Sequence, residues 1–315
     1  VSEIKWSTLV NIKGKYFFME AKRYYSLDAL KFSCAICIVF IHFEILYTEY
    51  INFILRCAVP CFAMCSGFFF YKENNRYKTL QIIKKIAGIY VFATFVYALW
   101  QYIQWRTLSP FVNRSSIINF IVWGNNPFAM HLWYLHCYIY ALLIILILEK
   151  CNRFKQVIYW MPLLLLPNFL LGSYSICFEP TKWQDCIYSR NAYFLILPYF
   201  SIGYILRNTL IKYKYKVKKN GLICIALILS IVSYLDITFA CNGIINDLPI
   251  TSALLSVVLF VMFLLMKMKQ NTLSALGSKY SLNLYIYHPL LGGILSFILL
   301  RLGVPGGHLD YHMYG

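Results

Sequence analysis

Apolar residues run in long, continuous stretches along almost the whole chain, separated by short polar connections. The stretches fall at about 30–48, 51–71, 82–104, 131–149, 157–173, 192–208, 219–239, 249–266 and 281–301. Each is long enough, or nearly so, to cross the ~30 Å of a bilayer's hydrocarbon as a helix rising ~1.5 Å per residue. Strands of a membrane barrel would alternate apolar and polar positions, and these runs do not. A continuous apolar run in lipid must satisfy its backbone within itself, which a helix does. The pattern predicts an all-α, polytopic transmembrane helical bundle of about nine spans. It divides the chain into an N-terminal segment over residues 1–25, a membrane domain over 26–302 and a short Gly-rich tail over 303–315.

Composition then narrows the class. The 315 residues are 60% hydrophobic and 13% charged, with a mean hydropathy of +0.62. A soluble globular protein carries about twice that charged fraction, so a water-soluble enzyme is excluded. Lys and Arg number 29 against 12 Asp and Glu, a net charge of +17. The excess lies in short connections and not on a soluble basic face, which argues against nucleic-acid binding. The N-terminal segment and the even-numbered connections hold 22 of the 29 cations, whereas the odd-numbered connections hold four, Arg106, Arg114, Lys182 and Arg190. By the positive-inside rule the N-terminus is expected in the cytoplasm. The 27 tyrosines say little, because Ile, Lys, Asn and Phe are abundant too.

The chain opens on Val1, and Met19 offers a start just ahead of the first span. Residues 1–18 are expected to be an upstream extension or, alternatively, a short interfacial helix through Trp6, Leu9, Phe17 and Phe18. The first apolar run has full span length and no small-residue cleavage site, so a cleavable signal peptide is not expected. Of eleven cysteines, Cys34, Cys37, Cys57, Cys61, Cys65, Cys137 and Cys224 fall in spans, where cysteine behaves as a small hydrophobe. Cys57, Cys61 and Cys65 share a helix face, but no His or carboxylate accompanies them, and no metal site is expected. Cys177 and Cys186 share an outer connection, where a disulfide would need an oxidising compartment.

Ionisable residues inside spans cost at least ~2.5 kcal/mol on insertion scales and mark function. Lys31 and His42 are eleven positions apart, about three helical turns, so they lie on nearly one face and ~16 Å apart along the axis. After a tight turn near Glu49 and Tyr50, Arg56 stands as far into the second span as His42 stands before the turn. The two are expected to face each other at similar depth. Histidine suits proton removal from a hydroxyl near neutral pH, and a neighbouring cation would hold it neutral and attract an anionic or carbonyl-bearing substrate. The bland alternative makes His42 a helix–helix hydrogen-bonder and Arg56 a snorkelling side chain. Trp133 and Tyr134, which follow His131 at the start of the fourth span, read equally as interface anchors. His136 reads as a packed polar residue, while His288-Pro289 places a His and a freed carbonyl inside the last span.

Five segments in order carry a family resemblance. The run Arg23-Tyr-Tyr-Ser-Leu-Asp28-Ala-Leu-Lys31 followed by His42, and Arg56-Cys-Ala-Val59-Pro60-Cys-Phe62-Ala-Met-Cys-Ser66-Gly67-Phe68, resemble the first two spans of the integral-membrane acyltransferase type 3 family. His131-Leu132-Trp133-Tyr134-Leu135 comes next. Arg190-Asn191 with Leu197-Pro198 and Gly203 follows, then Ser281-Leu282 with Tyr285 and His288-Pro289. The resemblance covers about residues 22–300. It implies an O-acyltransferase that moves an acyl group, commonly acetyl, from acyl-CoA to a hydroxyl of a sugar, polysaccharide precursor or lipid-linked glycan in the cell (inner) membrane.

On that resemblance His42 is the catalytic base or acyl relay, with Lys31 and Arg56 as its paired cations. Asp28, Ser66, Lys84, Lys85, His131, Trp133, Arg190 and His288 become substrate- or donor-binding positions, with Lys84 and Lys85 at the inner rim where donor phosphates would approach. No bound cofactor or metal is implied; acetyl-CoA is a substrate. The partners implied are the donor, the acceptor, the bilayer and a separate soluble enzyme that would complete transfer outside. Family members usually have ten spans with both ends cytoplasmic, so a missing last helix is expected here. The competing function is a transporter or flippase for a lipid-linked saccharide, with His42 and Arg56 lining a path.

Overall fold

The computed structural model describes residues 7–12, 15–20, 23–43, 48–71, 75–108, 113–175, 189–213, 219–239 and 248–302. Strands β1 (Ser7–Ile12) and β2 (Lys15–Glu20) pair antiparallel, with Leu9 opposite Phe18. The interfacial helix offered as one reading of this segment is therefore replaced by a hairpin. Among the described residues, every regular element after it is helical. The tail 303–315, Cys177, Cys186 and Lys182 lie outside the described residues.

The nine apolar stretches correspond to α1 (Tyr25–Phe43), α2 with α3 (Thr48–Leu55, Ala58–Phe70), α4 (Arg76–Trp105), α6 (Trp133–Lys150), a broken segment, α9 (Leu197–Tyr213), α10 (Lys219–Phe239), α11 (Ile250–Leu265) and α12 (Thr272–Arg301). Among the described residues, six helices are long and apolar enough to cross a membrane. With 19 residues, α1 spans about 28 Å, close to the hydrocarbon thickness. The stretch at 157–173 is not one span. It consists of α7 (Phe154–Val157), a 3₁₀ turn (Met161–Leu164) and α8 (Leu165–Leu171). Pro162 and Pro167 each remove a backbone donor, which accounts for the interruption. One helix lies outside the apolar runs, α5 (Arg114–Trp123), opened by an Asn113–Ser116 capping box.

Burial separates an inner set of helices from an outer one. Most of the α2–α3 segment is buried, whereas α4 and α10 expose rows of large apolar side chains such as Val91, Phe92, Phe95, Leu227, Ile228 and Ile231. Such faces are stable only against lipid, so the fold is that of an integral membrane protein. Small residues set the closest helix crossings inside it. A Cβ on Gly67 of α3 would fall 1.8 Å from the Phe200 carbonyl oxygen of α9, and one on Gly203 of α9 would fall 2.0 Å from the Met64 carbonyl oxygen of α3. The two helices thus meet backbone to backbone, each through its own glycine. A similar contact locks α12 to α1, where a Cβ on Gly277 would lie 1.7 Å from the Asp28 carbonyl oxygen. At the other end of this pair Gly292 meets the Phe43 ring. The two helices therefore run side by side in the same direction, with Asp28 and Gly277 at one end and Phe43 and Gly292 at the other.

Candidate active site

The far end of the α1–α12 pair is where polar side chains converge. His42 sits in the last turn of α1, His131 in a 3₁₀ turn (Met130–Leu132) that opens α6, and His288 one residue before the proline of α12. The ring centroids are 5.1 Å apart for His42 and His288, 6.3 Å for His42 and His131, and 5.6 Å for His131 and His288. Three of the chain's six histidines, separated by 89 and 157 positions in sequence, thus form one cluster. Arg56 and Arg190 lie within electrostatic reach of His42. No three His, Cys, Asp or Glu side chains among the described residues are disposed to hold a metal ion.

Proline chemistry in α12 explains part of this geometry. Pro289 has no N–H, so the Tyr285 carbonyl loses its helical partner. The Nδ1 of His288 lies 2.9 Å from that carbonyl oxygen and 3.0 Å from that of Leu284. Carbonyls only accept, so Nδ1 carries the proton and Nε2 presents a lone pair. That Nε2 is buried and has no hydrogen-bond partner among the described residues. His131 is fixed the other way round, its Nε2–H donating to the Ile286 carbonyl at 3.0 Å. The Tyr285 hydroxyl donates to the His131 carbonyl, tying the 3₁₀ turn to α12 a second time.

Tyr97 of α4 completes the scaffold. Its hydroxyl donates to the Ile286 carbonyl at 2.8 Å and accepts from the Leu290 N–H at 3.2 Å, bridging the proline position from both sides. Its ring stands 4.9 Å from that of His131. Tyr97→Phe keeps the ring and removes both hydrogen bonds, leaving the Ile286 carbonyl with His131 alone and taking from the Leu290 N–H its bond to the hydroxyl. The expected cost is about 1–3 kcal/mol, read as a lower thermal midpoint of the detergent-solubilised protein, with secondary structure unchanged by circular dichroism.

Arg56 occupies the turn between α2 and α3, and its Nε donates to Asn52 at 3.0 Å. Pro60 in the first turn of α3 removes the N–H that the Arg56 carbonyl would otherwise receive, which favours a break here. Asn191 accepts from the backbone N–H groups of Tyr193 and Phe194, both at 2.9 Å, and starts the π turn (Ala192–Ile196) that leads into α9. The paired Arg190-Asn191 motif thus joins a helix-starting residue to a cation beside the histidines. Ser66 donates to the Phe62 carbonyl at 3.0 Å and lies near the Tyr134 hydroxyl. Trp133 packs edge-on against Tyr134, with ring centroids 6.3 Å apart.

The remaining predicted positions lie elsewhere. Lys31 is 2.7 Å from Asp28, which also takes Arg23 at 3.1 Å, at the opposite, basic end of α1. Lys84 and Lys85 are exposed on α4, whose main packing partner is α6.

The chain is thus a helical membrane bundle that holds a histidine cluster with two arginines in electrostatic reach. The family model of the acyltransferase domain matches residues 24–313, and the chain belongs to that family. The hairpin precedes the matched residues. Comparison with curated proteins and with solved structures gives no match.

Proposed function

We propose that the protein is a membrane O-acyltransferase that moves an acyl group, in the first instance acetyl, from acyl-CoA to a hydroxyl of a sugar, polysaccharide precursor or lipid-linked glycan. The observation that carries this reading is the convergence of His42, His131 and His288, with Arg56 and Arg190 in reach, inside the bundle of an acyltransferase. Acting as base, His42 takes the proton of the acceptor hydroxyl as its oxygen bonds to the thioester carbonyl carbon. The C–S bond then breaks and the CoA thiolate takes the proton back from the imidazolium. Acting as relay, His42 itself forms the bond to the carbonyl carbon, CoA leaves as the thiolate, and the acceptor hydroxyl displaces the imidazole while its proton passes to that thiolate. In either route negative charge develops on the carbonyl oxygen, and the guanidinium groups of Arg56 and Arg190 are suited to stabilise it.

The N-terminus and the basic connections face the cytoplasm in this reading, and the protein resides in the cell membrane. Acyl-CoA then enters at the basic end and the histidines lie toward the far side. Membranes containing the protein, supplied with acetyl-CoA labelled in the acetyl group and a glycan acceptor, are expected to accumulate label in the glycan as a base-labile ester. Translocation of a lipid-linked saccharide with no label incorporated would assign the protein to transport.

A further inference from the structure

At the basic end of the bundle a second cluster faces the start of α1. Arg207 of α9 lays its guanidinium carbon 5.0 Å from the Tyr24 ring centroid and 4.7 Å from that of Phe68, and donates to the Tyr24 hydroxyl at 2.5 Å. The Tyr24, Phe68 and Phe69 rings pack on one another, at 5.2 Å between Tyr24 and Phe68 and 5.6 Å between Phe68 and Phe69. The Lys31 ammonium lies 5.8 Å from the Phe69 ring.

Among the described residues the charges around this aromatic shelf do not balance: Arg23, Lys31 and Arg207 stand against one described carboxylate, Asp28, which is already paired with the first two. Arg207 has no ion pair among the described residues, and its Nε is buried without a hydrogen-bond acceptor. Guanidinium does not relieve this by losing its proton. A half-buried cation packed against two rings, with no anionic partner among the described residues, is arranged for an anionic ligand, and the guanidinium fork matches phosphate oxygens.

We infer that Arg207, Tyr24 and Lys31 form a binding site for phosphate groups. On the acyltransferase reading, on which this rests, those groups belong to the acyl-CoA donor. The positions fit one extended ligand. Lys31 lies ~16 Å from His42 along α1, and Tyr24 with Arg207 about two turns further. Phosphates held between Lys31 and Arg207 leave the pantetheine arm to run along α1, with its thioester toward His42.

The test compares two donors, acetyl-CoA and S-acetylpantetheine, which lacks every phosphate, in the full-length protein and in Arg207→Gln and Arg207→Lys. The preference for acetyl-CoA, as the ratio of kcat/KM values, is expected to fall about tenfold or more in Arg207→Gln. Affinity for labelled CoA should fall in parallel, and Arg207→Lys should be intermediate. Equal losses with both donors and an unmoved ratio would make Arg207 a purely structural stack and overturn the proposal. A lipid source is separated by thermal midpoints in phosphatidylglycerol and phosphatidylcholine vesicles. If Arg207→Gln removes only a phosphatidylglycerol dependence and leaves CoA affinity intact, the donor assignment is overturned. CoA binding by the wild type that is insensitive to Arg207 sinks this inference alone. A wild type that neither binds CoA nor transfers acetyl groups sinks the acyltransferase reading with it.

Discussion

Replacing His42 with alanine is expected to lower acyl transfer by on the order of 10²–10⁴-fold, the contribution typical of a positioned acid–base group, with insertion and helical content unchanged. The side chain is the last polar group of α1, and the backbone around it is held by other residues: Asp28 with Arg23 and Lys31 at one end, and the glycine contacts of α12 along its length. Loss of the ring therefore removes chemistry more than it removes packing. The neighbouring histidines do not swing into its place, because backbone carbonyls fix their orientation: His131 donates through Nε2 to Ile286, and His288 through Nδ1 to Tyr285 and Leu284. If His42 is the acyl relay, His42→Ala also loses the partial exchange of label between acetyl-CoA and free CoA in the absence of acceptor. If it is a base, no such exchange occurs in the wild type, and this comparison distinguishes the two routes.

The second large effect is expected at a residue far from the chemistry. Gly277→Ala places a methyl group 1.7 Å from the Asp28 carbonyl oxygen and 3.2 Å from the Phe32 Cβ, against ordinary contact at 3.4–4 Å. The nearest atom belongs to backbone, so it cannot swing aside, and α12 has to separate from α1. Overpacking of this kind costs about 1–3 kcal/mol, seen as a lower thermal midpoint. The displacement also carries His288 away from His42, since these two helices supply the closest pair in the cluster. A misplacement of about 1 Å is worth on the order of 10²-fold in rate. Gly88→Ala is the matched control, because a Cβ there meets nothing within 4 Å. It is expected to leave transfer unchanged and to leave stability equal or raised by up to ~1 kcal/mol, as alanine improves an exposed helix interior. Equal effects at Gly88 and Gly277 would show that the close approach of α12 to α1 does not position the site.

How far the chain can be read without coordinates differs from one element to another. The helical spans were legible because apolar continuity is imposed by lipid, a solvent with few exceptions to its rules. The stretch at 157–173 was misread because apolar content hides the backbone: Pro162 and Pro167 are visible in the sequence, but hydropathy counts them as tolerable. The Lys31–His42 spacing was legible because both lie on one uninterrupted helix. Bringing His131 and His288 to His42 depends on how α1, α6 and α12 pack, which no local pattern encodes; the motif order of the family supplied those positions instead. Tyr97 left no signal, being one of 27 tyrosines in a chain rich in aromatics. Arg207 was hidden differently. It lies at the basic end of a span beside a run of lysines, and the positive-inside rule accounts for such a residue completely, so its packing on Tyr24 and Phe68 is apparent only in three dimensions.

The central claim is that His42 performs acyl transfer from a CoA thioester within this bundle. Its most direct measurement is the yield of base-labile labelled ester on a glycan acceptor from acetyl-labelled CoA, using purified wild type and His42→Ala reconstituted at equal amounts in liposomes. The wild type is expected to form ester in step with CoA released, and His42→Ala to do so at a rate lower by on the order of 10²-fold or more. Equal rates in the two proteins would contradict it.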